Sequence, residues 1–138
     1  MKQLKQSKTI LSRRHKQALY LCATVLWISG AVWISLSESN PARPLWMRLH
    51  GAAAMIFLVI FGTLLTQHVP AGWQQKSQRP SGLSIISACV ILILTGWGLY
   101  YMADENVRNG LHWVHTSVGL ILPGIIFLHV WMSKRSKI

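Results

Sequence analysis

Four long apolar runs constrain this chain more than any other feature of its sequence. A helix rises about 1.5 Å per residue, so roughly 20 residues cross the hydrocarbon layer of a bilayer. Each run is long enough to span a membrane as a helix, which satisfies its own backbone hydrogen bonds in lipid. The runs contain no Asp, Glu, Lys or Arg and cover residues 18–36, 49–66, 83–103 and 111–132.

The connections between the runs are short and contain Pro, Gly, Asn and Ser, which favour turns. Because short connections join antiparallel neighbours, we expect an all-α, up-down-up-down four-helix bundle. It forms a single membrane domain over residues 1–138. Its expected spans lie at about residues 15–36, 47–68, 83–103 and 110–132.

Basic residues predict the orientation of the bundle. Six of the 14 Lys and Arg residues precede the first run, two lie in the loop after the second, and three lie at the C-terminal end. The other two loops hold all three acids, Glu38, Asp104 and Glu105. Since basic segments stay in the cytoplasm, we expect both termini there. The net charge of +11 then faces anionic lipid, and we expect no nucleic-acid binding.

Histidines are the polar side chains that stand out in and beside the spans. His115 and His129 are fourteen residues apart. On a helix, two such residues point within about 40° of the same direction and are separated by a rise of roughly 21 Å. They therefore share a face near opposite membrane surfaces. His50, at the start of the second span, pairs naturally with His115 on the outer side. His112 is about 100° out of phase with His129 and is the weaker alternative.

On the inner side His129 has two possible partners, His15 before the first span and His68 at the end of the second. His68 is in phase with His50, but the rise of about 27 Å between them exceeds the 21 Å on the fourth span. Pro70 marks an expected exit from the helix. The geometry favours His15 and leaves His68 open, since Pro123 can bend the fourth helix.

Histidines in facing positions predict haem. Neutral imidazole binds haem iron through one nitrogen while the other donates a hydrogen bond, so two facing histidines fill both axial positions of a b-type haem. Cys22 and Cys89 form no haem-attachment motif and are expected to pack as small apolar side chains. Transporters generally need a charged group at depth, which disfavours transport.

The histidine pattern resembles that of the bacterial cytochrome b-561 and the cytochrome b subunits of nickel-iron hydrogenase and formate dehydrogenase. The matching segments are "RRH" with His15 ahead of "ISG", "MRLHG" with His50, and "LTGWGLYY" at the end of the third span. The fourth span matches through His115 and His129, with Gly119 four residues after the first. The resemblance covers nearly the whole chain, and the fourteen-residue spacing is its most specific element.

The resemblance implies two b haems, the outer one held by His50 and His115 and the inner one by His15 and His129. Lys16 stands where the family commonly has an aromatic residue. It also implies electron transfer across the membrane between the quinone pool and a redox partner, either a periplasmic protein or a partner subunit. We therefore expect an electron-transfer subunit rather than a stand-alone enzyme.

Two other functions remain open from the sequence. One is a quinol oxidase or small-molecule reductase that acts at a haem edge, as some relatives of cytochrome b-561 do. The other is a non-redox assembly or metal-handling membrane protein that uses histidines for zinc or copper. The lack of carboxylates and thiolate pairs within the spans disfavours the second.

Overall fold

Four α-helices make up the part of the chain that the computed structural model describes, residues 12–73 and 79–135. Within it, the side chains of residues 67, 68, 71–73 and 134 lie outside the description. All four helices are long and apolar enough to cross a membrane, so the predicted all-α membrane fold is confirmed. They are α1 (Arg13–Ser35), α2 (Arg43–Trp73), α3 (Arg79–Tyr101) and α4 (Glu105–Arg135).

The helices extend beyond the predicted spans, most clearly at the end of α2. Pro70 lies inside this helix, which continues to Trp73, so the predicted exit near Pro70 is wrong. Proline removes one backbone hydrogen bond, but its fixed φ is compatible with a helix, and the chain can continue past it. Pro123 is likewise internal to α4.

Polar side chains fix where α1 and α4 begin. The Ser12 hydroxyl accepts a hydrogen bond from the backbone N–H of His15 at 3.2 Å. The Asp104 carboxylate accepts from the N–H groups of Asn106 and Val107 at 2.9 and 3.0 Å. These side chains satisfy N–H groups that have no partner within the first turn of a helix, so the start of each helix is set locally.

The bundle consists of two helical hairpins. α1 packs chiefly against α2 and α3 chiefly against α4, while the two hairpins touch each other less extensively. Most of the described side chains that become buried are small, which lets the helices approach closely; they are Cys22, Ser29, Ala53, Ala88, Cys89 and Thr95, with Phe61 the large exception. The Cys22 thiol also lies 3.3 Å from the Ala53 carbonyl of α2, and both cysteines pack as the sequence predicts.

Gly98 lies at a close contact between α3 and α4. A β-carbon added there would lie 2.6 Å from the Leu111 side chain. We expect Gly98→Val to lower the free energy of unfolding by about 1–3 kcal/mol, because added volume in a packed contact forces neighbouring groups to move. Unfolding by SDS in mixed micelles, followed by tryptophan fluorescence, measures this.

Gly110→Val is the matched control, since a β-carbon at Gly110 meets nothing within 4 Å. It should change stability by less than about 0.5 kcal/mol, as surface substitutions usually do. Equal losses from the two variants would show that the contact between Gly98 and Leu111 does not hold the hairpin together.

Candidate functional site

The structure brings His50 of α2 and His115 of α4 together across the boundary between the two hairpins. Their ring centres are 6.2 Å apart and their planes are inclined at 76°. Both side chains are partly buried. His50 lies seven residues after the start of α2 and His115 ten residues after the start of α4. The pair therefore sits at the same end of the bundle, as the sequence predicts.

The hydrogen bonds of His50 determine which ring nitrogen carries the proton. Nδ1 lies 3.0 Å from the Leu26 carbonyl oxygen and 3.1 Å from the Ser29 hydroxyl oxygen. A carbonyl can only accept, so Nδ1 must be the nitrogen that donates. In the neutral ring, Nε2 then carries a lone pair. That lone pair makes no hydrogen bond within the described part of the chain.

The same logic applies to His115. Its Nδ1 lies 2.9 Å from the hydroxyl of Thr95 on α3. That hydroxyl lies 2.7 Å from the Ile91 carbonyl and donates its single hydrogen there, so it accepts from the Nδ1–H of His115. Nε2 of His115 also carries a lone pair. Each ring is thus held at Nδ1 by groups on its own hairpin, and its Nε2, a nitrogen through which imidazole can bind a metal, is left available.

A glycine follows each of these hydroxyl residues and lies against the same ring. A β-carbon at Gly30 would come within 3.2 Å of His50 Cε1, and one at Gly96 within 3.3 Å of His115 Cε1. Both distances are shorter than an ordinary van der Waals contact, so a larger residue would displace the imidazole. Hydroxyl and glycine together therefore define the position of each ring.

The spacing of the pair suits coordination to one metal ion. A metal–imidazole nitrogen bond is about 2.0 Å, so two imidazoles on opposite sides of one ion have ring centres roughly 6 Å apart. A haem of the bis-histidine type likewise takes two histidines from the protein as ligands. Among the described residues, no group of three or more His, Cys, Asp and Glu side chains could hold a metal ion.

His112 lies beside a different set of groups. Its ring packs edge-on against Trp33 of α1, with ring centres 6.1 Å apart, and against Trp113 at 5.9 Å. The structure thus places His115, and not His112, opposite His50. Which of the two is a ligand stays a prediction.

His129, the second of the two histidines on the shared face of α4, repeats part of the pattern seen at His50 and His115. His129 Nδ1 lies 2.8 Å from the hydroxyl of Ser81 on α3, and a β-carbon on the following residue, Gly82, would come within 3.8 Å of His129 Cε1. The same nitrogen therefore faces a hydroxyl, followed by a glycine, as at His50 and His115. His129 and His115 lie on one partly buried stripe of α4.

His15 has the opposite arrangement. Its Nε2 lies 2.7 Å from the hydroxyl of Thr63 on α2, and that hydroxyl also lies 2.7 Å from the Ile60 carbonyl, to which it donates. Nε2 of His15 therefore donates to Thr63, and Nδ1 carries the lone pair of the neutral ring. The side chain of His68, the alternative partner, lies outside the described part of the chain. The inner pairing stays a prediction.

Sequence reasoning missed the hydroxyl partners of the histidines. The signal is visible in retrospect, since a hydroxyl residue followed by glycine occurs as "SG" at 29–30, "SG" at 81–82 and "TG" at 95–96. These pairs suggest close helix packing. That each faces a histidine depends on the rotation of the neighbouring helix, which no local pattern determines.

Comparison with known proteins gives one distant likeness. No protein-family model and no solved structure matches the chain. An uncharacterized transporter of Pseudomonas aeruginosa is 29% identical over 119 residues, which cover 82% of this chain and 36% of that protein. The chain thus spans about a third of the length of this relative. The likeness and the four apolar helices together indicate a multi-pass membrane protein.

The hydroxyl of Thr95 should be required to hold the His115 ring. In Thr95→Val the Nδ1–H loses its hydroxyl acceptor and keeps only the Leu92 carbonyl nearby. A lost hydrogen bond of a partly buried group costs about 0.5–1.5 kcal/mol. We expect a matching loss in the free energy of unfolding, together with a mixture of His115 tautomers in ¹⁵N NMR spectra of the imidazole.

Thr24→Val is the control, because the exposed Thr24 hydroxyl bonds only to the Tyr20 carbonyl of its own helix. It should alter stability by less than about 0.5 kcal/mol. Unchanged stability and an unchanged His115 tautomer in Thr95→Val would refute the assigned role of this hydroxyl.

Proposed function

We propose that this chain is a di-haem b-type cytochrome that carries electrons across a bacterial inner membrane. It would connect the quinone pool with a redox partner on the periplasmic side, with both termini in the cytoplasm. The observation that carries the proposal is the pair His50 and His115, with 6.2 Å between ring centres. Each ring has its Nδ1–H engaged and its Nε2 lone pair available.

The donor set favours electron transfer over chemistry at the iron. Two histidines would fill both axial positions, which leaves the metal no open coordination site for a substrate. A bound b haem would supply a one-electron couple. The chain's own residues would orient the imidazoles, through Ser29 and Thr95, and surround the site with apolar helices that exclude water.

Histidines near both ends of the bundle support a path for electrons between the two membrane faces. His50 and His115 lie near one end of the bundle, whereas His129 lies six residues before the end of α4. The rise between His115 and His129 is about 21 Å along a straight helix. A second haem at the level of His129 would bring electrons close to the opposite surface, where a quinone can reach its edge.

Transport is a second candidate function, favoured by the likeness to the uncharacterized transporter of Pseudomonas aeruginosa. The relative is 29% identical and much longer than this chain. The apolar runs here hold no acidic or basic residue other than histidine. A colourless purified protein would favour this candidate over the cytochrome.

Haem content and its dependence on single histidines test the cytochrome directly. We expect the purified protein to contain two haem groups per chain, extractable by acid–acetone, with low-spin b-type spectra. His115→Ala and His50→Ala should each lose one of the two, because an axial ligand is removed. Haem is quantified by the pyridine haemochrome method.

His112→Ala is the matched control, since His112 is one turn from His115 on α4 and packs against Trp33. It should retain both haems. Loss of a haem from His112→Ala with retention in His115→Ala would mean that the ligands are wrongly assigned.

The inner ligand is decided by a second pair of variants, His15→Ala and His68→Ala. We expect His15→Ala to abolish the inner low-spin signal in low-temperature EPR and His68→Ala to preserve it. In the structure His15 donates through Nε2 to Thr63, so ligation through that nitrogen requires this hydrogen bond to be exchanged. The opposite result would assign the inner haem to α2 and α4.

A further inference from the structure

A charged and aromatic cluster lies at the outer end of the bundle, beyond the facing histidines. It consists of Arg43 at the start of α2, Trp33 near the end of α1, and His112 on α4; we call it the outer cluster. We propose that Arg43 of this cluster binds a propionate carboxylate of the outer haem. This inference rests on the proposed function.

The outer cluster holds the guanidinium group in place. The Arg43 Cζ lies 4.6 Å from the centre of the Trp33 ring, within the range of a cation–π interaction. The His112 ring of α4 packs edge-on against Trp33, with ring centres 6.1 Å apart. Trp33 of α1 therefore holds the guanidinium of α2, and a fixed guanidinium loses less freedom when it binds a ligand.

The guanidinium of Arg43 has N–H donors that could bind a ligand. Its nearest described acid, Glu38, lies 3.6 Å from Nη1, beyond hydrogen-bond distance, and the Glu38 side chain is 94% exposed. The Arg43 side chain is only 23% exposed. Its Nε is buried and has no hydrogen-bond partner among the described residues. A buried N–H without a partner is costly, so this nitrogen favours a ligand that supplies an acceptor.

The position of Arg43 relative to His50 indicates which acceptor Arg43 could bind. Arg43 precedes His50 by seven residues on α2, which places it on nearly the same face, about 10 Å nearer the outer surface. His112 precedes His115 by three residues on α4. The outer cluster thus lies one to two turns beyond both candidate iron ligands.

A haem held between His50 and His115 has carboxylates on one edge of its macrocycle. An edge directed towards the outer surface would bring a propionate to Arg43. The guanidinium fork matches a carboxylate in a bidentate arrangement, through Nε and one terminal nitrogen. Such a contact would satisfy the buried Nε and fix which edge of the haem faces outward.

Titration with haem and with its dimethyl ester tests the proposal, because the ester lacks the carboxylate charge. The full-length chain, freed of haem, is titrated in detergent micelles and followed by Soret absorbance. The outer site is the component that His115→Ala removes. Wild type should bind haem about tenfold more tightly than the ester at this site, as expected for a charge-assisted hydrogen bond.

Arg43→Gln should weaken haem binding at the outer site about tenfold and leave ester binding unchanged. Arg48→Gln, an exposed arginine on the same helix, is the matched control and should bind both ligands like wild type. The ester also controls for folding, since a misfolded variant would lose both ligands.

Three results would overturn the inference while leaving the cytochrome intact. In the first, Arg43→Gln loses affinity for haem and for the ester equally. In the second, Arg43→Gln prefers haem over the ester as strongly as wild type does. In the third, wild type binds haem no more tightly than the ester. A loss in Glu38→Gln equal to that in Arg43→Gln would also overturn it, because both losses would then follow from breaking the Arg43–Glu38 ion pair and not from a missing propionate contact. A wild-type chain that binds no haem would refute the proposed function and this inference together.

Discussion

The hydrogen bond between an imidazole Nδ1–H and a hydroxyl on the neighbouring helix is the interaction on which the site depends. A histidine within an apolar span must satisfy its polar atoms, since water is scarce there and an unpaired group is costly. Ser29 does this for His50 and Thr95 for His115, each within its own hairpin. The tautomer follows from these contacts, together with the Leu26 carbonyl at His50, so that satisfying Nδ1 leaves Nε2 as a potential ligand.

The two-hairpin architecture follows from where the small residues lie. Cys22 and Ser29 of α1 contact Ala53 and His50 of α2, and Thr95 of α3 contacts His115 of α4. Ala88 and Cys89 of α3 are buried as well. Each hairpin carries one ring of the outer pair, and the rings meet where the hairpins face each other. A metal between them would therefore join two units whose other mutual contacts are fewer.

The outer end of the bundle differs chemically from its interior. The apolar runs contain histidine as their only basic residue, whereas Arg43 lies just outside the second run, against Trp33. A guanidinium can be kept there because an aromatic face and headgroup water are both within reach. Uncharged histidines thus lie within the span, and a cation lies at its edge.

The sequence by itself determined the four membrane helices and the histidines that share a face of α4, because hydrophobic length and helical period are local properties. Capping residues such as Asp104 mark their ends in the same local way. Only the tertiary structure decided that Ser29, Thr95 and Ser81 face histidines. It also decided that His15 donates through Nε2 to Thr63. The contacts of Trp33 with Arg43 and with His112 are tertiary in the same way. Those contacts depend on how each helix is rotated and tilted against its neighbours, which packing sets across the bundle.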